Sequence, residues 1–212
     1  VCGLAREAAA VVIRQGSPGL LCGNTWLISL RTFKDNPSVV GFLVKQACLS
    51  AISMTGFHHG GIEWESFPAT IFEGDLIQAI PRGDHETFFI PANPFFKDID
   101  ALYLKVDVEK KTALVVPIQI TVTQAHKDSE AGFYSQWSNW QERFGGYELK
   151  TTFVWVVENE QSLAMKEEEI RTTRNHSKVI SPEHEQIFVT VAGINCTLGL
   201  QLEAIRAAAK RR

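Results

Sequence analysis

The chain predicts a mixed α/β domain, with a central sheet carrying helices on both faces. Three observations carry that expectation. Residues 99–106 and 113–123 are rich in aliphatic and β-branched side chains and are joined by a short polar link at 107–111, the pattern of a hairpin. A second β-branched and aromatic run, 149–157, follows an amphipathic helix at 129–144. Strand, helix, strand in that order is a β-α-β unit, whose two strands pair in parallel. Of the 212 residues, 45% are hydrophobic and 21% charged, enough apolar material for one core and too little charge for a disordered chain.

The elements follow in order. Residues 3–14 (GLAREAAAVVIR) are Ala-rich with Leu4, Ala8 and Val11 on one stripe, a helix. Gln15 to Gly19 break it. Residues 24–30 (NTWLISL) read as a short strand, and Asn36-Pro37-Ser38 as a helix start. From 39 to 54 the apolar spacing of Val40, Leu43, Val44, Ala47, Ala51 and Met54 predicts a helix that Gly56 stops. Residues 64–72 contain Pro68 and suit an irregular or edge strand. Residues 86–90 (ETFFI) read as a strand or as the arm of a loop. The helix at 129–144 places Phe133, Trp137, Trp140 and Phe144 on one side, as core. Residues 158–185 are polar and charged, an exposed loop or insertion. A strand at 187–191 and a helix at 197–210, with Leu198, Leu202, Ile205 and Ala209 inward, close the chain.

Composition narrows the function. With 21 Lys+Arg against 24 Asp+Glu the net charge is −3, so a generally basic protein that coats nucleic acid is excluded, though a local basic face is not. The 4 cysteines show no CxxC pair and no zinc-ribbon spacing, which suits a reducing compartment. No apolar run approaches the roughly 20 residues of a membrane span, so no membrane partner is expected. Walker, GxGxxG, nucleophile-elbow, HExxH and EF-hand patterns are missing. The chain starts VCGL, without Met, and reads as a piece of something longer.

The chemistry concentrates in 97–127. Asp100 begins one strand of the hairpin. In the other, VVPIQITVT, Gln119 and Thr121 share one face while Ile118 and Ile120 take the opposite one. A carboxylate and an amide oxygen on neighbouring strands can hold a hard divalent cation, which makes Asp100 and Gln119 the candidate metal ligands for weakly bound Mg or Mn. His126 and Lys127 follow where that strand ends. Each residue also has a plain structural reading. Asp100 would be satisfied by local backbone, Gln119 would be a core amide bonded to a neighbouring strand, and His126 and Lys127 would lie at a solvated helix start capped by Asp128 or Ser129. His58 and His59 before Gly60-Gly61 read as exposed loop histidines, and Lys210 to Arg212 as a solvated end.

The order helix, three-stranded meander, helix, strand, with Asp100 in PFFKDIDALYL and Gln119-Ile120-Thr121 in place of an E/QxK element, resembles the PD-(D/E)xK nuclease superfamily. The combination of NPFFKDIDAL, PIQITVTQAHK and an aromatic helix resembles, more narrowly, the nuclease-like C-terminal domains of Crinkler effectors and retrotransposon-hot-spot proteins. The likeness is best over 86–157. It implies a restriction-endonuclease-like fold with an α-βββ-α-β core at about 26–157, a strand-helix extension at 186–212, and one domain over 1–212. It also implies catalytic roles for Asp100, Gln119, Thr121, His126 and Lys127, DNA as substrate, and a secreted effector or toxin module acting in a host nucleus. Thr121 stands where the superfamily has its lysine; a relocated Lys127, or Lys105, would have to serve. The first helix offers Lys45 and Gln46 where an acid is usual, leaving Glu7, Glu73 and Asp75 as outside donors. Three functions stay open: a Mg-dependent nuclease acting on DNA, a degenerate nuclease-fold module that binds nucleic acid or a host protein, and an unrelated α/β domain with a structural polar strand face.

Overall fold

The computed structural model describes residues 24–66, 68–93, 96–122, 128–176 and 180–210, without the side chains of residues 24, 25, 173–176, 209 and 210. The expected helix at 3–14 lies outside them, as do His126 and Lys127. Among the described residues the strands are β1 (Phe57–His59), β2 (Ile62–Trp64), β3 (Thr70–Phe72), β4 (His85–Pro91), β5 (Ala101–Asp107), β6 (Thr112–Thr121), β7 (Glu148–Val157) and β8 (Glu185–Thr190). The helices are α1 (Asn24–Thr32), α2 (Pro37–Thr55), α3 (Leu76–Ala79), α4 (Ser129–Tyr134), α5 (Trp137–Arg143), α6 (Glu160–His176), α7 (Val191–Ile194) and α8 (Cys196–Lys210).

Strands β3 to β8 form one six-stranded mixed sheet in sequence order. The meander β4-β5-β6 is antiparallel, and β6, β7 and β8 run parallel to one another. The parallel pairing of the strand after the aromatic helix is the one the β-α-β reading requires. Each strand of this run is apolar on both faces because helices cover both. One face carries Trp26 and Leu30 of α1, Val40, Val44 and Ala47 of α2, and Leu198, Leu202 and Ile205 of α8, packed on Tyr103, Val116, Ile118, Ile120, Val154 and Val156. The other carries the aromatic side chains of α4 and α5 on Leu102, Leu104, Val115, Phe153 and Trp155.

Local chemistry explains the boundaries. Asn36 caps α2, its side chain accepting from the amide of Val39, with Pro37 in the first turn where it costs no hydrogen bond. Gly56 ends α2 at φ 78. Helix α2 is long and apolar enough by composition to cross a membrane, contrary to the expectation that no run approached that length, but half of that stretch is buried against the sheet, as a core helix is. Gly60 and Gly61, both at positive φ (57 and 76), make the two-residue turn between β1 and β2, so His58 and His59 sit in a hairpin strand rather than a loop. Segment 64–72 splits: Trp64 ends β2, and β3 begins two residues past Pro68 as the sheet's edge strand.

Three other expectations change. Residues 24–32 are helical, not a strand, because Trp26 and Leu30 fall one turn apart and both bury. The helix over 129–144 is two helices. The Ser135 hydroxyl donates to the Gly132 carbonyl (2.6 Å) and the Gln136 amide to Phe133, three residues back, and both draw backbone acceptors out of the regular ladder. The polar stretch at 158–185 holds the 17-residue helix α6; its charged side is solvated while Lys166 and Ile170 turn to the aromatic face.

Candidate functional site

Asp100 lies immediately before β5, next to the carboxyl end of β6. Its amide donates to the Ile118 carbonyl at 2.8 Å, although Ala101 is the residue paired with Ile118. Alternation of side chains also slips here. Ile99 and Leu102 both pack in the aromatic cluster, while Ala101 packs under α2. One extra residue opposite Ile118, a β-bulge, accounts for both facts, and it turns Asp100 toward α2.

There Lys45 of α2 meets it. The Lys45 Nζ is 2.5 Å from Asp100 Oδ1, with side-chain exposures of 17% and 5%. The other oxygen, Oδ2, accepts from the Ile120 amide at 2.8 Å. Both oxygens of the carboxylate are therefore engaged, one by a cation and one by backbone. Gln119 is buried, at 2% exposure, and sits in register with Trp155 of β7, whose ring belongs to the aromatic cluster. It leaves the sheet on the side away from Ile118, Ile120 and α2. No hydrogen bond joins Asp100 to Gln119 among the described residues. Thr121, half-buried, ends β6 opposite Val157.

Mg asks for carboxylate and water oxygens in octahedral array, and here the one carboxylate is paired and the amide points to the opposite face. Among the described residues no three His, Cys, Asp or Glu side chains cluster as metal ligands. Of the proposed outside donors, Asp75 caps α3 by accepting from the Ile77 amide, and Glu73 is exposed; Glu7 is outside the described residues. Lys105 is exposed toward the hairpin end of β5 and pairs with Glu86 at 3.3 Å, away from Asp100.

Sequence reasoning noted Lys45 only as standing where the first helix usually has an acid, and gave it no partner. The signal was present: it is the single charged side chain in the apolar run 39–54, and a charge on a core helix calls for a buried partner. On the aromatic face, Lys166 of α6 was missed because its segment read as a loop. Its ammonium lies 4.2 Å above the Trp155 ring and 3.3 Å from Glu169.

A cavity of about 250 Å³ opens beside this end of the sheet, between α3, the 96–99 segment and α4/α5, with Phe133 and Trp140 in its wall. Asp98 borders it in a left-handed conformation, φ 75, and burial pushes its carboxyl above the usual range, against the pull of the Lys97 ammonium. Its carboxylate packs against Gly132, where an added Cβ would collide with Oδ1.

No family model, curated protein or solved structure matches the chain.

Proposed function

We propose that this chain is a nuclease-fold module of PD-(D/E)xK type that has given up its chemistry and acts by binding a partner macromolecule. The order α2, β4-β5-β6 meander, α4/α5, β7 supports the restriction-endonuclease-like reading of the fold. One observation carries the loss of catalysis: the Asp100 carboxylate is held by Lys45 and by the Ile120 amide, with Gln119 on the opposite face. A phosphodiesterase of this type needs a metal to polarise the phosphate, and these residues do not assemble a place for one.

Charge favours a protein over DNA as the partner. The net charge is −3, and many described cations are matched by acids: Lys105 with Glu86, Lys110 with Asp107, Lys150 with Glu148, Arg206 with Glu158. Cations already paired have little counterion release to offer a phosphate backbone. The Crinkler-like setting, a secreted effector working in a host nucleus on a host protein, accompanies the resemblance.

The test is a cleavage and retention assay on the purified domain, with linear and supercoiled DNA in Mg or Mn. The expected result is no metal-dependent cleavage and no salt-dependent retention. Cleavage in Mn that vanishes in both Asp100→Ala and Gln119→Ala would overturn the proposal. An active reading rests on one specific observation, the Lys45 ammonium beside the acid, where a relocated catalytic lysine would stand. Under that reading Lys45→Ala abolishes cleavage along with Asp100→Ala.

A further inference from the structure

The cavity beside the 96–99 segment takes no part in the Asp100 arrangement, and its walls are of two kinds. Phe96, Phe133 and Trp140 give it an aromatic side, and Leu76 and Ile77 of α3 an aliphatic one. Its charged groups are Asp75, Lys97 and Asp98. A dry cavity of about 150 Å³ takes a benzene ring. At about 250 Å³ this one has room for a ring with a short substituent.

Asp98 is the charged group here without a hydrogen bond. Its half-buried carboxylate accepts none from the described residues, and the charge acting on it is the exposed Lys97 ammonium next to it in the chain. Asp75 differs: one of its oxygens accepts from the Ile77 amide and caps α3. Helix α4 makes room for the Asp98 carboxylate at Gly132, where any larger residue would strike it. Glycine is unfavourable inside a helix, so that space has a cost. Asp98 also holds a left-handed φ of 75, which few non-glycine residues adopt. Two carboxylates against one ammonium leave the charged lining net negative. Burial holds the Asp98 carboxyl above its usual range, and a cation brought beside it would act against that.

We propose that this cavity is a binding site for a compact organic cation, an ammonium or amidinium on a small ring or short alkyl chain, with Asp98 as its counter-charge. The lining matches both halves of such a ligand. The carboxylate accepts charge-assisted hydrogen bonds from the cationic head. The rings of Phe96, Phe133 and Trp140 surround the body and attract positive charge to their faces. A divalent metal ion fits less well, because it asks for several oxygen ligands and no such group clusters among the described residues. An anion would meet two carboxylates for one exposed lysine. Asp100, Lys45 and the nuclease resemblance play no part, so failure here leaves the proposed function untouched.

Three probes on one ring test it: benzylamine, benzyl alcohol and benzoate, a cation, a neutral analogue and an anion at neutral pH. Each is titrated into the full chain while backbone amide resonances are followed. Benzylamine should shift the amides of residues 97–99 and 133–136, with a Kd on the order of a millimolar for a fragment of this size. Benzyl alcohol and benzoate should bind about tenfold more weakly or worse, the worth of one hydrogen bond to a charged group. Asp98→Asn keeps the shape and suits the left-handed backbone. It should weaken benzylamine by about tenfold and leave benzyl alcohol unchanged. The selectivity among the three probes is read on the wild type and needs no variant to fold. Three results would each overturn the proposal: no benzylamine shifts well above the millimolar range, equal affinity for benzylamine and benzyl alcohol, or unchanged benzylamine affinity in Asp98→Asn.

Discussion

Two buried carboxylates, one on each side of the sheet, are satisfied in different ways. Asp100 is reached by a single flexible lysine from α2 and by one backbone amide. Glu130 is bonded by an imidazole and by a side-chain amide, with an aromatic ring tilted against the imidazole. The first is a point charge against a point charge at the end of the strands. The second is a set of directional bonds between stiff groups. The residues that look most like a site in the sequence form the simpler arrangement. The more elaborate one comes from residues 54 positions apart, Glu130 and His184, which no local motif connects.

The largest effect separates the two partners of the α2 pair. Lys45→Ala leaves the Asp100 carboxyl, 5% exposed, with only the Ile120 amide to support it. Breaking a buried pair this way costs about 3–5 kcal/mol. Asp100→Ala should cost clearly less, because the Lys45 stem can carry its ammonium out to water. Denaturant midpoints of the two variants check this. Equal losses would mean that the pair is not the asymmetric one described, and that Lys45 is as confined as Asp100.

Removing Glu130 tests the other carboxylate. Glu130→Ala leaves the His184 ring and the Gln186 amide without their carboxylate partner in the interior, a loss of about 1–3 kcal/mol for the unsatisfied groups. A double variant with His184→Phe should recover part of the loss, since an apolar ring can stack on Tyr134 without needing a partner. No recovery would mean that Tyr134 and Thr151 hold the α4 interface without help from the stack.

The legible parts of this fold were those set by short-range pattern. The hairpin β5–β6, the strand β7, the apolar helix α2 and the closing helix α8 all follow from spacing alone, and so does the parallel pairing of β6 with β7. The misread parts were those where tertiary packing overruled composition. Helix α6 is polar enough to resemble a loop, yet Lys166 and Ile170 place one side of it on the aromatic cluster. Residues 24–32 are short and rich in β-formers, but Trp26 and Leu30 bury on one side only if the segment is helical. The bulge at Asp100 is beyond sequence pattern: one extra residue opposite Ile118 reverses the face to which the carboxylate turns. Period-two reasoning put Asp100 with Gln119, and that single slip separates them.

Asp98, two residues before the bulge, should give the smallest effect and shows most clearly how these carboxyls differ. Burial, the larger influence, raises its pKa, and Lys97 opposes it. The folded state therefore takes up the proton more readily than the unfolded chain, so ionising Asp98 costs the fold. That cost is absent below the unfolded pKa and complete above the raised folded one. Asp98→Asn removes the cost, keeps the shape and tolerates the left-handed backbone at φ 75. The substitution should raise the thermal midpoint slightly near pH 7, by an amount limited by the solvent that still screens this half-buried group. The gain should fade as the pH drops through the carboxylate range toward about pH 3, where wild-type Asp98 is itself neutral. A shift of the same size at both pH values would place its origin in the backbone at residue 98 rather than in the charge. A loss near neutral pH would mean that the ionised Asp98 carboxylate makes a net favourable contribution to the fold.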